Sequence, residues 1–146
     1  MSSSGGALED GFALYTLLKT QRLKVITVNM GQIASIANVP FLAGTYRICC
    51  PEAYFHFHNF DWTYPGPHTM TRDQFTDHTQ LLDRSREMKM ALLKQHTSLT
   101  DADFKALKLL DEPVIKGAGF AKEKGIVQEV GFPSLPPGTP IYNVDY

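Results

Sequence analysis

The sequence predicts an α/β protein with a crossover unit of a parallel sheet and one helix projecting from it. Three observations lead there. Apolar residues recur at helical spacing over Leu8–Lys19 and are followed by a short β-branched run, Val25–Met30, the order of a helix crossing over to a buried strand. Tyr54–Phe60 alternates strictly, Phe55 and Phe57 on one face and Tyr54, His56, His58 and Phe60 on the other, as a strand does. A polar run from Thr71 to His96 keeps only a thin apolar stripe and so projects, or packs on a partner, rather than lying in a core.

Taken in order, Gly5-Gly6 is a turn feeding the first helix, whose apolar side is Leu8, Phe12, Leu14, Tyr15 and Leu18. Val25–Met30, closed by Gly31, is the first strand. Ser35–Ala43 is small and apolar, ends at Gly44 and suits a second buried helix in which Pro40 costs a hydrogen bond. Trp62–His68, with two prolines and a glycine, is a loop. Thr71 and Gln74 then form a capping-box pattern at the head of the long helix, whose stripe includes Phe75, Leu82, Leu92 and Leu93. Thr100 and Asp103 start a short helix reaching Leu110. Phe120–Lys124 is another helix and Ile126–Val130 the last strand. Residues 1–130 thus read as one domain, and 131–146, with four prolines, as an extended tail.

Composition excludes several classes. The chain has 146 residues, 43% hydrophobic and 20% charged, with a formal net charge of −1, so it lacks the basic footprint of a nucleic-acid binder. No apolar run approaches the roughly 20 residues of a membrane span, and Met1–Gly6 lacks the basic and apolar regions of a signal peptide. A cytoplasmic protein with no membrane partner is expected. Cys49 and Cys50 are sequence neighbours, which rules out a disulfide framework and leaves buried thiols.

The chemistry gathers around one serine. A serine attacks a carbonyl only when an imidazole takes its proton and backbone N–H groups receive the developing oxyanion. Gly31-Gln32-Ile33-Ala34-Ser35 follows a strand and opens a helix, which puts Ser35 where free N–H groups point. His58 lies near the end of the strand with the polar face, and Gly5-Gly6 lets backbone approach a substrate closely. Alone, Ser35 reads as a helix N-cap and His58 as a structural hydrogen-bonder.

Order and spacing give these residues a family likeness. Ser3-Ser4-Gly5-Gly6 through Asp10-Gly11-Phe12-Ala13-Leu14-Tyr15 resembles the Ser-Pro-Gly-Gly turn and following helix of the Clp protease proteolytic subunit, and Gly31 through Ser35-Ile36-Ala37 resembles its nucleophile motif. Phe41-Leu42-Ala43-Gly44 matches a buried helix end. Pro51 through Phe55-His56-Phe57-His58 matches the strand ending in the catalytic histidine, and Leu92-Leu93-Lys94-Gln95-His96-Thr97 matches the end of the projecting handle helix. The resemblance implies a ClpP/crotonase-like fold, a spiral of βαβ units around a mostly parallel sheet, and a serine peptidase without cofactor or metal. In it Ser35 is the nucleophile, His58 the base and Asp111 the third triad member, with Asp101 and Asp103 as rivals for that last role. Gly6 and Ile36 supply the oxyanion N–H groups. It implies a peptide or unfolded-protein substrate, a homo-oligomer formed through the handle helix and an ATP-dependent unfoldase partner.

Two departures stand out. Ser4 replaces the turn proline, and the family's first strands are missing, so Ser2–Gly6 is expected to be mobile or held by another chain. Three other readings compete: a metal held by His56, His58 and His68, a crotonase-type acyl-CoA enzyme, and an inactive subunit that only builds the ring.

Overall fold

The structure, a computed structural model, describes residues 1–61 and 69–142. The loop expected over Trp62–His68 lies outside them, as do residues 143–146. Helix α1 is Leu8–Thr20, and strands β1, Ile26–Asn29, and β2, Gln32–Ala34, follow it. A 3-10 turn over Ser35–Ala37 leads into helix α2, Asn38–Phe41, and then come β3, Tyr46–Cys49, and β4, Tyr54–Phe57. Helix α3 spans Arg72–His96 and α4 Asp101–Leu107. Strand β5, Val114–Gly117, helix α5, Ala118–Glu123, and strand β6, Glu129–Val130, close the chain.

The strands form two three-stranded sheets, ordered β1-β3-β6 and β2-β4-β5. Every pairing is parallel except β4 with β5. Between the sheets' chain segments, Asn29 Nδ2 donates to Tyr54 O at 2.9 Å and its Oδ1 accepts from Gly31 N, so one buried side chain fixes the step from β1 to β2. Phe55 and Phe57 are fully buried in the main core with Phe41, Leu93, Leu109 and Ile126, as the alternation requires. A smaller cluster of Ile36, Val39 and Phe60 lies against Leu8, Phe12 and Tyr15 of α1 and Leu82 and Leu92 of α3.

Four expectations change. The single helix expected over Ser35–Ala43 is a 3-10 turn plus one α-turn, because Ser35 holds φ at 54°, outside the helical region, and Pro40 has no N–H to donate. Residues 46–49 form a strand despite Arg47, and 114–117 form one that starts from what looked like a connecting stretch. The chain's beginning is held in place by its own residues. Met1 N donates to Val28 O at 2.5 Å, Met30 N to Met1 O at 2.9 Å, Ser3 N to Gln32 O at 2.9 Å and Ala34 N to Ser3 O at 3.0 Å. Residues 1–3 thus run along β1 and β2 with the alternating bonds of a parallel ladder, and no second chain is needed to aim the glycine turn.

Both capping boxes form. Thr71 and Gln74 close the start of α3, and Thr100 and Asp103 that of α4. Cys49 and Cys50 are buried and free, and burial pushes the Cys49 thiol up to about 11. No described helix is long and apolar enough to cross a membrane.

Candidate active site

Ser35 sits where β2 ends and the 3-10 turn begins, in the left-handed region that non-glycine residues rarely occupy. Gly5 explains how the neighbouring chain tolerates it. A Cβ placed on Gly5 would stand 2.6 Å from Ser35 Cβ and 3.2 Å from Ser35 Oγ, so only glycine lets this backbone pass beside the hydroxyl. Gly5 and Gly6 have φ of 106° and 154°, which closes the turn before α1. A Cβ on Gly11 would collide with Ile36 Cγ1, so α1 also depends on a glycine to reach the serine turn.

Asn38 ties this turn to the histidine strand. Its Nδ2 donates to Ser35 O at 2.8 Å and to His56 O at 3.1 Å, while the β2–β4 register pairs Ala34 with His56. The rings of His56 and His58 lie 5.1 Å apart on the face of β4 opposite Phe55 and Phe57. Desolvation, then the neighbouring His58 and Lys89, holds His56 below the ordinary imidazole range.

One cavity borders the serine turn, and a second lies at the end of β4. The first, of about 720 Å³, is walled by the Gly5-Gly6 turn, Asp10 and Leu14 of α1, and Ile36 and Pro40. It brings Gly6 and Ile36 to one wall, and Ile36 lies in the first turn of a helical segment, where N–H groups have no partner within the helix. The other, of about 350 Å³, is lined by His56, His58, Asn59, Asp61, Asp111 and Pro113. His58 and Asp111 therefore meet at one cavity, and Ser35 meets Gly5 at the serine turn. The three side chains are not hydrogen-bonded to one another. His58 Nδ1 faces its neighbour's carbonyl, Asn59 O, and Asp111 pairs with Arg86 of α3.

Asp101 and Asp103 lie elsewhere. Asp101 pairs with Lys94, and Asp103 caps α4 and accepts from Lys124 Nζ at 2.8 Å. The Lys124 contact, then those with Thr100, holds the Asp103 carboxyl down at about 2. Among the described residues no group of three His, Cys, Asp or Glu side chains can hold a metal, and His68 lies outside them. Sequence reasoning missed two residues beside the site, Arg86 and Lys89. Lys89 stands four residues before Leu93, but a lysine on a polar helix carries no sequence signal of burial.

The family model described as Clp protease matches residues 1–134. The chain belongs to the Clp protease family. It is 30% identical over 135 residues to the ATP-dependent Clp protease proteolytic subunit 1 of Mycolicibacterium paratuberculosis and equally to subunit 3 of Nocardia farcinica, covering 89% of this chain in each case. It spans 61% and 58% of those relatives' lengths. Its fold is similar to that of a ClpP1 mutant from Listeria monocytogenes, with a TM-score of 0.73 and 22% identity over 89% of this chain and 70% of that one. The α/β architecture with a mostly parallel sheet is therefore that of the Clp proteolytic subunits.

Proposed function

We propose that this chain is a serine endopeptidase of the Clp type that cleaves peptide bonds through an acyl-enzyme on Ser35. The observation that carries the reading is the strained serine at a strand-to-helix turn, φ 54°, with the Gly5 backbone pressed against its side chain. Ser35 is half-buried there, and no side-chain hydrogen bond caps the 3-10 turn it opens. In this reading Ser35 Oγ attacks the scissile carbonyl as its proton passes to His58 Nε2. The N–H groups of Gly6 and Ile36 receive the oxyanion, His58 returns the proton to the leaving amine, and water then releases the acyl group. Asp111 orients His58 after the Nδ1 side turns from Asn59 O toward the shared cavity. Peptides or unfolded proteins are the substrates, self-association builds the working particle, and an ATP-dependent unfoldase feeds it.

A second reading is an inactive ring subunit. The pairing of Asp111 with Arg86 and the contact of His58 with Asn59 O favour it, because both polar groups are occupied away from Ser35. A fluorophosphonate probe separates the two. A peptidase is labelled at Ser35, Ser35→Ala abolishes the label without loss of fold, and His58→Gln slows labelling by at least about 100-fold. Absence of label on the folded wild-type protein at any pH would establish the inactive subunit.

A further inference from the structure

Helix α3 meets the body of the protein through a narrow stripe, and its buried members are Ser85, Lys89 and Leu93, four residues apart. Lys89, at the centre, is 0% exposed. Its Nζ has no hydrogen-bond partner among the described residues and lies 5.0 Å from the centroid of the Phe60 ring. Phe60 belongs to the small apolar cluster with Ile36 and Val39, immediately beyond His58. Of the titratable groups on the neighbouring segments, His56 on β4 feels the Lys89 charge, His58 and Asp61 stand just before and after Phe60 in the chain, and Arg86, paired with Asp111, lies one turn earlier on α3. None of them hydrogen-bonds the amine. An aromatic face compensates a buried ammonium only in part, so a charged Lys89 is poorly accommodated in this seat, and a neutral amine, though it also lacks a hydrogen bond, costs far less to bury.

We propose that Lys89 is a proton-sensitive positioning residue: while its amine is uncharged, α3 stays seated on Phe60 and steadies the end of β4 that carries His58, and protonation drives the helix off that seat. The step from seating to His58 rests on the peptidase reading above, whereas the seating itself does not. Burial lowers the amine to about 7 from an ordinary value of 10.5. Once unseated, the amine is solvated and regains the ordinary value. The open form therefore binds the extra proton between those limits, and seating weakens as pH falls from about 10.5 to about 7, then no further.

Hydrogen exchange on the full chain tests this. The amides of residues 85–93 and 54–60 would be followed between pH 7 and 10, with intrinsic rates divided out, in wild type, Lys89→Met and Lys89→Leu. In the wild type the opening constant should rise by up to about tenfold for each pH unit of fall. In both variants, which keep the volume and lose the titrating group, it should be flat and low. A flat wild-type profile, or the same slope in the variants, overturns the proposal. Fluorophosphonate labelling of Ser35 supplies the functional arm: Lys89→Met should label faster than wild type at pH 7, the difference closing by pH 10. Equal rates at pH 7 would refute the link to His58. If Ser35 is unlabelled in every protein the peptidase reading fails, and the exchange profiles still decide the role of Lys89.

Discussion

Ser35 is held at φ 54° by the Asn38 amide on its carbonyl and by the Gly5 backbone against its side chain. A non-glycine residue in that region costs about 1–3 kcal/mol. Replacing it with glycine removes both the backbone penalty and the crowding at Gly5. Ser35→Gly should therefore raise unfolding stability by about 1 kcal/mol in urea titrations while eliminating any fluorophosphonate label. Lower stability in that variant would mean that the serine side chain holds the turn together. Gly5, Gly6, Ser35 and His58 stood out in the sequence only through their resemblance to the family's motifs, since singly they read as turn glycines, a cap and a structural hydrogen-bonder. The strain was not legible, because a serine opening a helix reads equally as a cap, and φ depends on the passage of residues 3–5 beside it. Lys89 was overlooked for a related reason. A lysine on a polar helix is expected in solvent, and only the packing of Phe60 shows which side of α3 is covered.

At the scale of elements, the strand that sequence reading omitted is built around Arg47. Tyr46-Arg47-Ile48-Cys49 places a charge in the middle of an otherwise buried run, and that argues against a strand when the partners are unknown. In the structure Arg47 is 5% exposed and its guanidinium makes four hydrogen bonds. Nε donates to Ile126 O at 2.6 Å, Nη1 to Gly44 O at 3.1 Å, and Nη2 to His96 O at 2.7 Å and Gly125 O at 3.0 Å. One side chain thus joins the segment after α2, the end of α3 and the turn before β6. Burial lowers its pKa, but a guanidinium starts so far above neutrality that it stays charged at neutral pH. A lysine has a single donor head and cannot reach four carbonyls spread over three segments. Arg47→Lys should cost about 3 kcal/mol or more, since buried acceptors lose charge-assisted bonds, and thermal unfolding would measure it. A loss under about 1 kcal/mol would show that water replaces the guanidinium there. The helices with capping boxes and the alternating strand β4 were legible from local pattern alone. The last strand was legible too, though only Glu129–Val130 of the expected Ile126–Val130 pairs, whereas the three-residue β2 and the antiparallel β5 were not, because strands that short take their identity from their neighbours.

At the scale of the whole molecule, the structure leaves α3 half unsupported. Its 25 residues extend about 37 Å at 1.5 Å per residue, yet its buried residues all lie in the second half, from Ser85 onward. Phe75 is 65% exposed and Leu81 39%, so the first half carries apolar area that this chain does not cover. A helix with so few packed residues gains little stability from its own domain, and capping at Thr71 contributes only about 1 kcal/mol. Coverage by the same helix of a second copy is the economical arrangement, since a two-fold contact buries each exposed stripe against its equivalent. Sedimentation at micromolar concentration should accordingly show an assembly rather than a monomer. Phe75→Glu should weaken it by at least about tenfold in Kd, a like charge then facing itself across the contact. The same substitution should leave the stability of the isolated chain nearly unchanged, because Phe75 contributes no buried contact within it. A wild-type protein that sediments as a strict monomer, with α3 still helical by circular dichroism, would show that the first half of the helix stands without a partner.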